Sequence, residues 1–147
     1  MRYAYRIETR KVREKDFPYS GQRLSCTSDA LAFARSLRES DIEKFLCLHL
    51  DARNKLNCIQ LINGTHNQAV VYPREIIRHS LLSGSSGMIL VHNHPSGGVT
   101  PSEADIRLTT IIAEMAKNLD VLVHDHIILG EGESFFSFRE SGIMPPG

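Results

Sequence analysis

Apolar residues fall into short runs separated by turn formers, and the runs alternate between strand-like and helix-like spacing. Residues 45–50 are almost wholly apolar, and Asp51-Ala52-Arg53-Asn54 then leads into a second run over 56–62, the pattern of a strand hairpin. Asn63-Gly64 is another turn signal, and residues 69–72 read as a third strand. Pro73-Arg74-Glu75 opens an amphipathic helix that carries Ile76, Ile77 and Leu81 on one face and ends at Gly84. Met88 to Val91 is the apolar body of a buried strand over 87–92. Pro95-Ser96-Gly97-Gly98 then turns the chain. Thr100 reads as the next N-cap, with Pro101 at the first helical position and Glu103 closing a capping box. Ile106, Ile111, Ile112, Met115 and Leu119 keep a helical rhythm after it. Residues 121–129 and 134–138 are two further strands.

Upstream of the hairpin, Thr27 or Ser28 caps a helix through Ala30, Leu31, Ala34 and Leu37, which Glu39-Ser40-Asp41 ends. Residues 1–24 form an N-terminal extension. Tyr3, Tyr5 and Ile7 alternate there with Arg6 and Glu8 as in an edge strand. Seven basic residues stand against three acidic ones in this stretch, which suits a solvated face and lead-in better than a surface for an anionic partner. Residues 25–147 are expected to form one domain. Mixed hairpin and crossover connections predict an α+β fold, a curved mixed sheet with helices packed against it.

Composition narrows the classes. The 147 residues are 41% hydrophobic and 23% charged, enough for one packed core. No apolar run approaches a bilayer span and no signal-peptide core is visible, so the expected location is cytoplasmic. Cys26, Cys47 and Cys58 are scattered and odd in number, which argues against a disulfide framework. A formal net charge of zero argues against a dedicated binder of nucleic acid that relies on phosphate neutralisation.

The chemistry concentrates in residues 87–105. Side chains two apart on a strand share a face, so His92 and His94 project together from the strand's end. Asp105 lies about one turn into the following helix, from where it can swing back toward them. A lone histidine at a strand end is ordinarily a satisfied polar group, and a first-turn Asp is favoured by the helix dipole. Two imidazoles followed by a turn and a helical carboxylate make instead three protein ligands with a fourth tetrahedral position open, the arrangement of a catalytic zinc site. The donor set suits one Zn2+, although related divalent ions can occupy such a site. His124 and His126 make a second His-x-His, also expected to share a face, but no carboxylate follows at a matching distance. His49, His66 and His79 have no partners readable from sequence, and Asn93 reads as a turn or backbone-bonding residue. A zinc deaminase would need a Cys-x-x-Cys pair, which is absent.

The stretch HNHPSGGVTPSEAD (92–105) resembles the His-x-His-x7-Ser-x2-Asp motif of the JAB/MPN+ (JAMM) metallohydrolases, in the wording of the RadC family, often labelled DNA repair proteins. The segments at 43–56, 70–82 and 125–138 agree in order, so the resemblance covers residues 25–141. Tyr72 departs from it, because the family commonly has His before Pro-Arg-Glu. The chain looks like the short form, without the helix-hairpin-helix region of longer members. The resemblance implies a JAB/MPN (cytidine deaminase-like) fold, zinc on His92, His94 and Asp105, and hydrolysis of a peptide or isopeptide bond in a peptide or protein substrate. It makes the Glu ahead of an early strand the general base, a place that Glu43 fits and for which Glu75 is the rival. It assigns Ser102 to the tetrahedral intermediate, a role compatible with simple helix capping. It implies Asp125-His126 as supporting residues. Two other functions remain consistent with these residues: a metal-binding domain of DNA repair or mobile elements without peptidase activity, nucleic acid entering through family context only, and an MPN protein-interaction module.

Overall fold

The computed structural model describes residues 1–65 and 69–146. The chain runs through α1 (Thr27–Phe33), a 3-10 helix (Arg35–Glu39), β1 (Lys44–Leu50), β2 (Leu56–Asn63), α2 (Pro73–Leu82), β3 (Gly87–Asn93), α3 (Glu103–Lys117), β4 (Leu122–Leu129) and β5 (Phe135–Ser137). The strands form one open mixed sheet in the order β2-β1-β3-β4-β5. β3 is antiparallel to β1 and parallel to β4, with α3 as the crossover. The fold is α+β, as the pattern of runs predicts.

Both faces of the sheet are covered, which is why β3 is buried along its whole length and runs apolar without alternation from Met88 to Val91. Leu46, Leu48, Leu50, Ile89, Val91 and Ile127 pack on one side against Ala30 of α1, its C-cap Ala34 and Leu37. Phe45, Cys47, Met88 and Leu90 pack on the other against Ile76 and Ile77 of α2 and Ile112, Ala113 and Ala116 of α3. The hairpin turn forms where expected: the Asp51 carboxylate accepts from the backbone N–H of Arg53 and Lys55, and Asn54 adopts φ 61°. All three cysteines are free. Among the described residues no helix is long and apolar enough to cross a membrane.

Several local expectations are corrected. The N-terminal alternation builds no strand, and residues 1–16 are exposed, without a ladder partner for Tyr3, Tyr5 or Ile7. Residues 69–72 are likewise not a strand; they run beside Glu43, whose carboxylate takes a backbone hydrogen bond from Ala69. The cap position of α1 is Cys26, which makes no side-chain cap bond, and the Thr27 hydroxyl donates to Asp125 at 3.4 Å. In α2 the buried face is Ile76, Ile77 and Ser80, and Leu81 is exposed. α3 buries Thr109, Ile112, Ala113 and Ala116, while Ile106, Ile111 and, just past its end, Leu119 are exposed. In both helices a hydroxyl-bearing residue occupies the inner stripe, which an apolar count overlooks. Residue His66 lies outside the described residues.

Candidate metal centre

Register places the site. His92 pairs with Phe45 across β3 and β1, and their rings stack at 5.9 Å. Glu43 precedes Phe45 by two residues and so reaches the same face, with Oε1 3.8 Å from His92 Nε2. Asn93 points to the opposite face and clamps the approach to β1. Its side-chain oxygen accepts from Lys44 N at 2.7 Å, and its amide donates to the carbonyls of Ile42 and Ser40. The residue between the two histidines therefore holds the segment that carries Glu43.

The helix cap differs from the expected one in a way that builds the site. Ser102, not Thr100, is the N-cap of α3. Its hydroxyl accepts from Asp105 N at 3.0 Å, and the Asp105 carboxylate accepts from Ser102 N at 2.9 Å. A cap at Thr100 would put Asp105 deeper in the helix. As the third helical residue it folds back over the N-terminus, toward the histidines: Oδ1 lies 3.5 Å from His92 Nε2 and Oδ2 3.4 Å from His94 Nε2.

His94 is held by the turn that follows it. Gly97 adopts φ 93° and returns its N–H to the His94 carbonyl at 2.9 Å, a conformation that favours glycine. The Gly98 carbonyl lies 2.9 Å from His94 Nδ1. A carbonyl only accepts, so Nδ1 carries the proton and Nε2 presents its lone pair. That lone pair faces His92 Nε2 at 2.9 Å. Two imidazole nitrogens directed at one another with carboxylates beside them form a donor set that suits a shared cation, and neutral imidazole with carboxylate is borderline-soft ligation of the kind zinc takes. Glu43, His92 and His94 bring one ligand atom each within 4.8 Å of one another. Either carboxylate can complete the set, and the Asp105 oxygens are the nearer to both rings.

The two carboxylates are tuned apart. Burial works against ionisation of Asp105, but when the two rings take up a second proton, the hydrogen bonds His92 and His94 then donate, the charge on His92 and the Ser102 N–H hold its carboxyl well below the usual range. Burial pushes Glu43 up, against the pull of the two histidines and the Ala69 N–H. His94 is raised, chiefly by its hydrogen bond to Asp105. Glu43, Ser102, Asp105, Val71, Leu108 and Ile111 line one open cleft of about 650 Å³. Glu75 is not in its lining; it pairs with Arg78 on α2 at 3.5 Å.

The second His-x-His does not behave as its spacing predicts. Met88 pairs with Val123 and Ile89 with Asp125, so His124 is an extra residue in β4, a bulge. His126 stays on the metal-site face, 2.7 Å from His92 Nδ1 through its Nε2. His124 is turned to the other face, beside Asp125 in a small recess under α1. A Cβ at Gly87 would collide with its ring. Burial pushes His126 well below the usual histidine range. Its Nδ1 meets the Thr109 hydroxyl. Thr109 is absent from any sequence-derived reading of the site; its spacing of four from Asp105 on one helix is the signal that points to it.

A mixed-sheet domain with His92, His94, Asp105, Glu43 and Ser102 gathered at the end of its central strand defines a class, the JAB/MPN-type metal-binding domains. The model of the RadC-like JAB domain matches residues 24–143. A UPF0758 protein of Coxiella burnetii is 46% identical over 124 residues, 82% of this chain and 54% of that protein. UPF0758 proteins of Alteromonas mediterranea and Methanosarcina acetivorans are 45% and 39% identical, over 74% and 78% of this chain and 48% and 50% of their own length. The chain belongs to the RadC-like JAB domain family. It spans about half the length of these relatives.

Proposed function

We propose that the protein is a zinc-dependent hydrolase that cleaves a peptide or isopeptide bond. The observation that carries this reading is geometric: the Nε2 atoms of His92 and His94 converge at 2.9 Å, with the Asp105 carboxylate 3.4–3.5 Å and the Glu43 carboxylate 3.8 Å away, beside one open cleft. His92, His94 and Asp105 would hold the ion, and zinc there would supply Lewis acidity toward a carbonyl and lower the pKa of a water. Glu43, raised by burial, takes the proton of the attacking water on its carboxylate and delivers it to the leaving nitrogen. Ser102 accepts from Asp105 N, which leaves its hydroxyl proton free to donate to the oxyanion that develops at the carbonyl oxygen. Asn93 keeps Glu43 in place through the backbone of residues 40–44.

Glu43→Gln preserves shape and removes the base. It is expected to keep stoichiometric zinc and to lose roughly 10²–10⁴-fold in turnover on peptide and isopeptide-linked substrates. Unchanged turnover would remove Glu43 from the mechanism. Zinc binding without turnover on any such bond would favour a non-peptidase metal domain.

A further inference from the structure

His126 and Thr109 are fully buried and neither lines the cleft. They nevertheless join the site through an unbroken series of hydrogen bonds. The Asp105 backbone carbonyl can only accept, so the Thr109 hydroxyl, 2.7 Å away, donates its single proton there. The Thr109 oxygen is then an acceptor for His126 Nδ1, which carries a proton. The His126 ring is fully buried and has no carboxylate partner among the described residues, so it holds one proton and its lone pair falls on Nε2, which faces His92 Nδ1 at 2.7 Å. His92 Nδ1 therefore carries the next proton, and its own lone pair falls on Nε2, the atom that converges with His94 and Asp105.

The reverse order is unfavourable at both ends. It would turn the hydroxyl proton toward His126 and leave two oxygens 2.7 Å apart with none between them. It would also place a proton on His92 Nε2 and close that atom to a metal. The direction of the whole series is thus set by one main-chain carbonyl, that of Asp105.

We propose that Thr109 and His126 are positioning residues of the metal centre: through their hydrogen bonds they fix His92 in the tautomer whose Nε2 is the free donor. The carbonyl that orders His92 belongs to the residue whose carboxylate stands opposite it, so α3 registers two ligands at once. Outer partners that orient a ligating imidazole govern metal affinity in this way. This inference rests on the metal-centre reading above but not on the hydrolysis.

The test has two readouts, neither of which needs a substrate. Long-range proton–nitrogen spectra of the metal-free, isotope-labelled protein at mildly alkaline pH identify which ring nitrogen of each histidine bears hydrogen. His92 and His126 are both expected as Nδ1–H forms. His92 found as the Nε2–H form overturns the proposal, and this measurement stands even if no variant folds. Thr109→Val removes the hydroxyl, and Thr109→Ser restores it. The Val variant is expected to show a mixed His92 tautomer and about tenfold weaker binding of Zn2+ in chelator competition, with the Ser variant within about twofold of the parent. Parental zinc affinity and an unchanged tautomer in a folded Val variant would also overturn it. Failure of Glu43→Gln to slow hydrolysis would leave these results untouched and would refute only the hydrolase reading.

Discussion

Two His-x-His tripeptides lie at the adjacent parallel strands β3 and β4, with the same spacing and a polar residue between. Along β3 the register with β1 is unbroken up to His92, and His94, one residue past the strand, keeps to the same face and meets His92 at 2.9 Å. In β4 a single extra residue at His124 breaks the register with β3. His126 then supports the first pair from behind, and His124 ends on the far side of the sheet. The middle residues are alike: Asn93 and Asp125 both turn away from the metal site and hold main chain, Asn93 before β1 and Asp125 at His126 N and Arg139 N, with the Ser137 hydroxyl. Shared spacing is therefore no guarantee of shared geometry. An i, i+2 pair converges only while the ladder beneath it stays in register.

This contrast can be broken most sharply by metal content. His94→Ala removes a ligand and is expected to weaken Zn2+ binding by more than about 100-fold, given roughly 10–16 kcal/mol spread over a full ligand set. His124→Ala should bind zinc like the parent. Mass spectrometry of both proteins checks this, and equal zinc in the two would erase the distinction. The middle residues come next. Asp125→Ala leaves several buried donors without an acceptor and should cost about 2–3 kcal/mol of stability in urea melts, and Asn93→Ala about 1–2 kcal/mol. Only the second should also slow hydrolysis, because only Asn93 holds the Glu43 segment.

Smaller effects sharpen the picture further. Ser102→Ala loses the cap of α3 and should cost about 1 kcal/mol, with zinc affinity falling because Asp105 loses its reciprocal partner. Thr100→Ala should do neither. The last difference is one of protonation. In metal-free protein His94 is raised by its Asp105 hydrogen bond, whereas His124 is lowered by burial and then by Arg139. A raised histidine adds stability that is fully present below pH 6.5 and lost as pH climbs through its folded value. A lowered one does the opposite: below 6.5 the unfolded chain binds a proton that the folded chain refuses, and stability drops. His94→Gln should make the metal-free protein more sensitive to acid and His124→Gln less so, as followed by urea midpoints across pH. The buried His49, lowered by desolvation to about 4, adds to the acid loss in both, by up to about 3 kcal/mol.

Long apolar runs and strong turns made most elements legible, because a strand buried on both faces cannot be written otherwise. The faces of α2 and α3 were harder. Ser80 and Thr109 sit in their inner stripes, and a polar residue gives no apolar signal even when it is buried. The cap of α3 was ambiguous for a related reason: Thr100 and Ser102 are both competent caps, and the choice depends on where the Asp105 carboxylate finds its donors.

Local periodicity was enough for the α+β order of elements, for a mix of hairpin and crossover connections, and for the shared face of His92 and His94. Asp105 and Glu43 were named from motif and resemblance, but only packing across the sheet brings their carboxylates to the imidazoles, leaves Glu75 outside the cleft and parts His124 from His126. Each depends on register between strands distant in sequence, and a one-residue shift there turns a side chain to the other face of the sheet.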